Sequence, residues 1–167
     1  MKKELTEVYC GSAKGKTTLA LGHSLRAAAE GKSVIIIQFL KGKETRSVDF
    51  LEQLDDLDIK IFRFEKMESC YDQLNEEEQA EEERNILNGL NFGRKVIATQ
   101  ECDFLVLDEI LGLLDKHIAT VDMVVGLLKQ KDESMHLILT GNRVDPGILD
   151  YVDSVTTITT LGREQNS

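Results

Sequence analysis

Cys10-Gly11-Ser12-Ala13-Lys14-Gly15-Lys16-Thr17-Thr18 is the stretch on which the reading of this chain turns. A phosphate-binding loop is written G-x-x-x-x-G-K-[ST], between a strand and a helix. That pattern puts glycine at position 10, where this chain has Cys10; Gly11 follows, so the spacing is G-x-x-x-G-K-T. The loop still ends in Gly15-Lys16-Thr17 at the start of a helix. There, backbone N–H groups and the helix N-terminus would face a polyphosphate, Lys16 would add charge and Thr17 would reach a magnesium ion. A chance glycine turn is the competing reading, and the order strand, loop, Gly-Lys-Thr, helix disfavours it. Lys14 adds a second charge that either touches phosphate or stays solvated. Cys10 reads as a small residue buried beneath the loop rather than a reactive thiol.

Outward from the loop, strands and helices alternate. Thr6 to Cys10 reads as a strand and Thr17 to Glu30 as a helix with small residues Ala20, Ser24, Ala27 and Ala28 at helical spacing. Val34 to Phe39 and Phe104 to Leu107 are apolar runs of strands buried on both faces. Ile59 to Phe64 and His136 to Leu139 read as strands, and so does Val155 to Thr159. Helices are expected at Val48–Leu54, from Asn75 to about Gln100, at Ile110–Leu114, Val121–Lys129 and Ile148–Val152. Asn75 is the expected N-cap of the long acidic helix, with Ile86, Leu90 and Ile97 as its buried stripe. The alternation predicts one α/β domain over residues 1–167, P-loop NTPase-like, with a mostly parallel sheet and helices on both faces.

Composition narrows the function. With 167 residues, 41% hydrophobic and 30% charged, the chain can bury one sizeable core. The net charge is −10, but Glu65 to Glu83 alone contributes nine acidic residues and one basic, a local −8, leaving −2 elsewhere. The acidic run Glu76 to Glu83 is expected to be a solvated helix face. With no basic stripe, nucleic acid is an unfavoured partner. Apolar runs such as Val34–Ile37 are too short to span a bilayer, and Glu4 and Glu7 interrupt any signal-peptide pattern, so a cytoplasmic protein with no membrane partner is expected. Cys10, Cys70 and Cys102 are widely spaced, against a disulfide framework or thiolate metal site.

Asp108-Glu109 closes an apolar strand, where a second carboxylate site would hold magnesium directly or through water. Taken alone, the pair would sooner cap the next helix. Ligands of such sheets lie at the carboxyl ends of the strands, so loop and carboxylates point to one edge. Thr140-Gly141-Asn142-Arg143-Val144-Asp145 matches the N-[KR]-x-D element that reads guanine. Asp108-Glu-Ile-Leu-Gly112 is one residue too long for the accompanying D-x-x-G switch, and guanine is disfavoured.

Tyr9 to Thr18, Gln38-Phe39-Leu40-Lys41-Gly42, Leu105-Val106-Leu107-Asp108-Glu109, and Leu139-Thr140-Gly141 followed by Ile148-Leu149-Asp150 occur in order. Together they resemble the P-loop class of bacterial ATP:corrinoid adenosyltransferases, whose loop G-x-G-K-G-K-T-T has the same shortened spacing. The resemblance implies transfer of the 5′-deoxyadenosyl group of ATP to the cobalt of a reduced corrinoid, with triphosphate released. It implies that ATP lies reversed in the loop, C5′ outward. It implies ATP, Mg2+ and a corrinoid substrate, a homodimer, and an electron donor for which a flavoprotein is the candidate. Catalytic roles then fall on Lys16, Thr17 and Glu109. Nucleotide contacts fall on Gly11, Ser12, Ala13, Lys14, Gly15, Lys16, Thr17, Thr18 and Arg143, and magnesium contacts on Thr17, Asp108 and Glu109.

The chain departs from the family at named positions. Ser12 stands for Asn or Asp, and Ala13 for a Gly, where a positive φ would strain alanine. Asn142 stands for an Arg, with Arg143 one residue later. Only Cys70 and Tyr71 stand where aromatics lie near the corrinoid's lower face, and the chain ends at Gly162–Ser167 without a basic tail closing in Glu-Tyr. Two further readings stay open: an ATP- or corrinoid-binding paralogue without turnover, and a general P-loop NTPase hydrolysing the γ-phosphate.

Overall fold

A computed structural model of the chain describes residues 3–41 and 49–162, leaving aside the side chains at 49 and 52. Gly42, Val48 and 163–167 lie outside the described residues. Strands β1 (Thr6–Cys10), β2 (Val34–Gln38), β3 (Ile59–Arg63), β4 (Phe104–Asp108), β5 (His136–Thr140) and β6 (Ser154–Thr157) form a six-stranded sheet in the order β3-β2-β4-β5-β1-β6. Every pairing is parallel. The helices are α1 (Lys16–Ala29), α2 (Glu76–Thr99), α3 (Ile110–Asp115) and α4 (Val121–Gln130). Asp49–Gln53, Tyr71–Gln73 and Pro146–Tyr151 are 3-10 turns, so two of the expected short helices are tighter than α.

The inner strands β2, β4, β5 and β1 are buried because their residues alternate between two cores. Val34, Ile36, Phe104, Val106 and Ile138 face α1; Ile35, Ile37, Leu105, Leu107, Leu137 and Leu139 face the side of α2 and α4. Ile36 and Ile37 are fully enclosed, each stabilising the fold by about 1.5–3 kcal/mol. Beyond Lys16 at its start, the buried positions on α1 are Ala20, Ser24, Ala27 and Ala28, small enough to let the helix lie close on the sheet.

Helix α2 starts with a capping box: Glu78 N donates to Asn75 Oδ1 at 2.9 Å and Asn75 N to Glu78 Oε2 at 3.0 Å. Such a cap is worth about 1 kcal/mol. Its buried stripe is wider than the apolar spacing suggests, taking in Glu82, Asn85, Gly89 and Gly93. A Cβ on Gly89 would lie 3.0 Å from the Phe64 ring, so the glycine admits that aromatic.

Glu82 corrects the expectation of a solvated acidic face, being 2% exposed. Its carboxylate accepts from Lys66 N at 2.8 Å, Met67 N at 2.7 Å and Asn85 Nδ2 at 2.9 Å. Three donors replace the water it loses. It thereby ties the start of α2 to the segment leaving β3.

Two polar residues close apolar strands from within the sheet: Gln38 is 3% and Thr140 0% exposed. With Asp108 at 1%, they set a polar floor at the carboxyl edge of β2, β4 and β5.

Candidate active site

The loop leaving β1 is held on both flanks, because β1 lies between β5 and β6. Gly11 N donates to Asn142 O at 2.9 Å and Gly141 N to Tyr9 O at 3.2 Å, on the β5 side. Ile158 N donates to Cys10 O at 2.8 Å, on the β6 side. Gly11 has φ 117°, and a Cβ there would stand 2.2 Å from Ile158 O. Both conformation and space therefore require glycine at 11, which places the displaced first glycine of the loop. Cys10 is buried, its Sγ 3.5 Å from Thr157 Oγ1. Gly15 is left-handed at φ 112°, while Ala13 has no positive φ, so alanine at 13 is unstrained.

Lys16 opens α1 and is 8% exposed. Its Nζ donates to Gly11 O at 2.6 Å, Ala13 O at 3.3 Å and Asn142 Oδ1 at 3.1 Å. The ammonium is folded into the mouth of its own loop, onto the carbonyls of Gly11 and Ala13. Ser12, Lys14, Gly15 and Thr18 are exposed along the rim.

Asp108 is the hub beside it. Thr17 Oγ1 donates to its Oδ1 and Oδ2 at 2.9 and 3.1 Å, Thr140 Oγ1 to Oδ1 at 2.7 Å, and Gln38 Nε2 to Oδ2 at 3.2 Å. Arg63 Nε donates to Gln38 Oε1 at 2.8 Å, which turns the amide nitrogen toward Asp108. Thr140 Oγ1 also accepts from Glu109 N at 2.8 Å. The sheet order explains this convergence. β5 lies between β1 and β4, so its last residue bridges loop and carboxylate. Glu109 is left-handed at φ 63°, a conformation costing about 1–2 kcal/mol for a non-glycine residue. Burial and then the charge of Asp108 push its carboxyl upward; Lys41 and Lys16 pull it back.

Among the described residues no three His, Cys, Asp or Glu side chains gather as a metal site. The donor set is one hydroxyl and one carboxylate, Thr17 and Asp108, with Glu109 adjacent. Hard oxygen donors few in number suit magnesium, which keeps waters and takes substrate phosphates as its remaining ligands.

Arg143 pairs with Asp115, Nη2 to Oδ1 at 2.9 Å, with its side chain 79% exposed. Asn142 is the residue of that turn that touches Lys16. Asp145 Oδ1 accepts from Gly147 N at 2.8 Å, capping the turn Pro146–Tyr151. Cys70 is exposed, and Tyr71 donates its hydroxyl to Glu83. Gln38, Thr140, Asn142 and Lys41 also join the site, although the motifs that contain them assigned them no role in it. Their signal was positional: polar side chains at or just beyond the carboxyl ends of buried strands.

Glu65 shapes the turn leaving β2. Its Oε1 accepts from Leu40 N at 2.6 Å and its Oε2 from Lys41 N at 2.9 Å. Burial raises its carboxyl to about 7, against those two amides and with Glu82 adding to the rise. Above its ordinary value of 4.5 the folded chain therefore binds more protons than the unfolded chain, so this group makes stability fall as pH rises from about 4.5 to about 7. The side chain is only partly enclosed, so the loss is about 1–2 kcal/mol rather than the full linkage value. Urea unfolding at pH 5 and pH 7.5 checks it: Glu65→Gln should lose less stability over that interval than the parent. Equal losses would count against a raised Glu65.

The profile of the family described as ATP:corrinoid adenosyltransferase BtuR/CobO/CobP matches residues 2–165. The corrinoid adenosyltransferase of Escherichia coli K12 is 26% identical over 149 residues, covering 89% of this chain and 73% of the relative. Its counterpart in Salmonella typhimurium LT2 is 27% identical over 149 residues, with the same coverage of 89% and 73%. Among solved structures, a KaiC-like protein from Pyrococcus horikoshii OT3 superposes with a TM-score of 0.62 at 19% identity, over 93% of this chain and 71% of that one. That likeness concerns the P-loop NTPase-like fold alone. No helix among the described residues is long and apolar enough to cross a membrane. With a match running almost end to end, and the shortened loop facing a carboxylate across one sheet edge, the chain belongs to the ATP:corrinoid adenosyltransferase family, a family of transferases.

Proposed function

We propose that the chain transfers the 5′-deoxyadenosyl group of ATP to the cobalt of a reduced corrinoid and releases triphosphate, in adenosylcobalamin synthesis or salvage. The observation that carries this is the compact loop, Gly11 to Thr17, with the Lys16 ammonium inside it and Thr17 on Asp108. The electron pair of Co(I) forms the Co–C5′ bond, and the C5′–O bond pair leaves with triphosphate. The substrate brings its own nucleophile, so the protein's task is to bind a polyanion, spread its growing charge and orient C5′. Lys16 and the loop amides face that charge. Thr17 and Asp108, with Glu109, would hold Mg2+, which supplies further neutralisation of the leaving group. Gln38 and Thr140 fix the Asp108 carboxylate so that it does not reorient as charge develops.

Corrinoid contacts fall in this reading on the segment around Cys70 and Tyr71, whose approach is anchored by Glu82. Arg143 is proposed as a nucleotide contact once released from Asp115. The reading includes one domain over residues 1–167, a cytoplasmic homodimer, and a flavoprotein as electron donor. The test is to mix protein, MgATP and chemically reduced corrinoid, then follow the spectrum and phosphate products. Conversion of Co(I) to alkyl-cobalt with stoichiometric triphosphate is expected. Orthophosphate release without corrinoid would replace this reading by a hydrolase, and ATP binding without product by a binding paralogue.

A further inference from the structure

The turn after β2 carries a cation that the loop motif does not include. Leu40 is left-handed at φ 58°, which reverses the chain just past Gln38. Glu65 clamps the amides of Leu40 and Lys41 with one oxygen each. A carboxylate bridging consecutive amides holds a strained turn that would otherwise relax. The turn sends the Lys41 side chain back over the carboxyl edge of the sheet, where its Nζ lies 3.9 Å from Asp108 Oδ2. Its charge also acts on Glu109. Lys41 lines an open apolar trough with Thr17, Thr18 and Phe50, alongside the phosphate loop.

Lys41 is 23% exposed, whereas the carboxylate it faces is 1% exposed. At 3.9 Å the pair is an ion pair and not a good hydrogen bond, so the ammonium's donors are not committed to Asp108. Lys41 thus stands beside Thr17 and Asp108, in the position a divalent cation would claim. A cation entering there with a polyphosphate would displace it from Asp108, and the nearest new anion would be the phosphate chain itself. Lys16 approaches the loop from within; Lys41 approaches from the β2 side.

We propose that Lys41 is a further cationic ligand of the polyphosphate, a placeholder on Asp108 that swings to phosphate when MgATP enters, and that Glu65 is its positioning residue. This deepens the proposed function and rests on its placing of the triphosphate at the loop.

Calorimetric titration of inorganic tripolyphosphate with Mg2+, and of MgATP, tests it on the full chain. Lys41→Ala should weaken both by about tenfold, as expected for loss of one charge-assisted contact, while Lys41→Arg retains most of the affinity. Glu65→Ala should weaken binding in the parent but add nothing on top of Lys41→Ala, because it acts only through that side chain. If Glu65→Ala fails to fold, Glu65→Gln takes its place in the cycle. Parental affinity in Lys41→Ala would overturn the inference and leave the loop site standing. Additive losses would overturn the Glu65 role. A parent chain that binds neither ligand would bring down the loop reading and this inference together.

Discussion

Lys16→Ala is expected to lower kcat/KM for adenosyl transfer by roughly a thousandfold, about 4 kcal/mol of lost transition-state stabilisation, while the chain stays folded. The ammonium is enclosed by the loop, whereas Lys14 stays exposed on its rim, and it is held by Gly11 O, Ala13 O and Asn142 Oδ1 at 2.6, 3.3 and 3.1 Å. Those acceptors are neutral, and a polyphosphate oxygen is a stronger partner for the same donor. Exchange of carbonyl for phosphate is therefore favourable at modest rearrangement. Alanine keeps the first turn of α1, being the best helix former, and the vacated mouth opens to water, which can serve the freed carbonyls. The fold should thus change little while tripolyphosphate binding collapses. Lys16→Arg is not expected to restore it, because a planar fork does not fit three convergent acceptors. Calorimetry and the Co–C spectrum are the measurements. Turnover within tenfold of the parent would remove Lys16 from the chemistry.

Most of this architecture was legible in the sequence, for a reason visible in the strands. Val34–Ile37 and Phe104–Leu107 are buried on both faces, so no alternation is needed to recognise them, and they pack as read. The Asn75 cap and the left-handed Gln100 bound α2 where the sequence placed its ends. Local signals fix such elements because capping and strand burial depend on nearby residues. What the sequence hid is what depends on strand order. Gln38, Asp108 and Thr140 are 70 and 32 residues apart along the chain and meet because β2 and β5 flank β4 on its two sides. No spacing rule announces that Thr140 belongs to the carboxylate rather than to a guanine-reading element.

The acidic segment hides its inward carboxylates for a related reason. Composition counts nine carboxylates between Glu65 and Glu83 without distinguishing them. Helical phase separates them. Glu82 falls on the stripe with Ile86 and Gly89 and is buried, whereas Glu76, Glu77 and Glu81 stay exposed. Glu65 lies before the helix and turns inward to the β2 turn. A charge count cannot show which carboxylate has backbone amides waiting for it. Burial of such a group is tolerable only where those donors exist.

Asp108→Asn should differ from Lys16→Ala by damaging fold and function at once. The native carboxylate only accepts, and three donors converge on it: Thr17 Oγ1, Thr140 Oγ1 and Gln38 Nε2. An asparagine offers one oxygen and one NH2 group. If the NH2 group faces Gln38, two donors meet, and Arg63 on Gln38 Oε1 resists the flip that would relieve them. If it faces Thr140 instead, that hydroxyl already accepts from Glu109 N, and its own proton loses its acceptor. Either arrangement leaves a polar conflict at a site 1% exposed, worth about 1–3 kcal/mol of stability by urea unfolding. The negative charge facing Thr17 also goes, so turnover should fall at least a hundredfold and tripolyphosphate binding should lose its dependence on Mg2+. Thr140→Val separates the two effects. It removes one hydroxyl from the network and should cost comparable stability, yet it leaves the carboxylate and hence the Mg2+ dependence in place. If Thr140→Val abolished that dependence as fully as Asp108→Asn, the carboxylate would be a structural brace of the sheet edge and not a magnesium ligand.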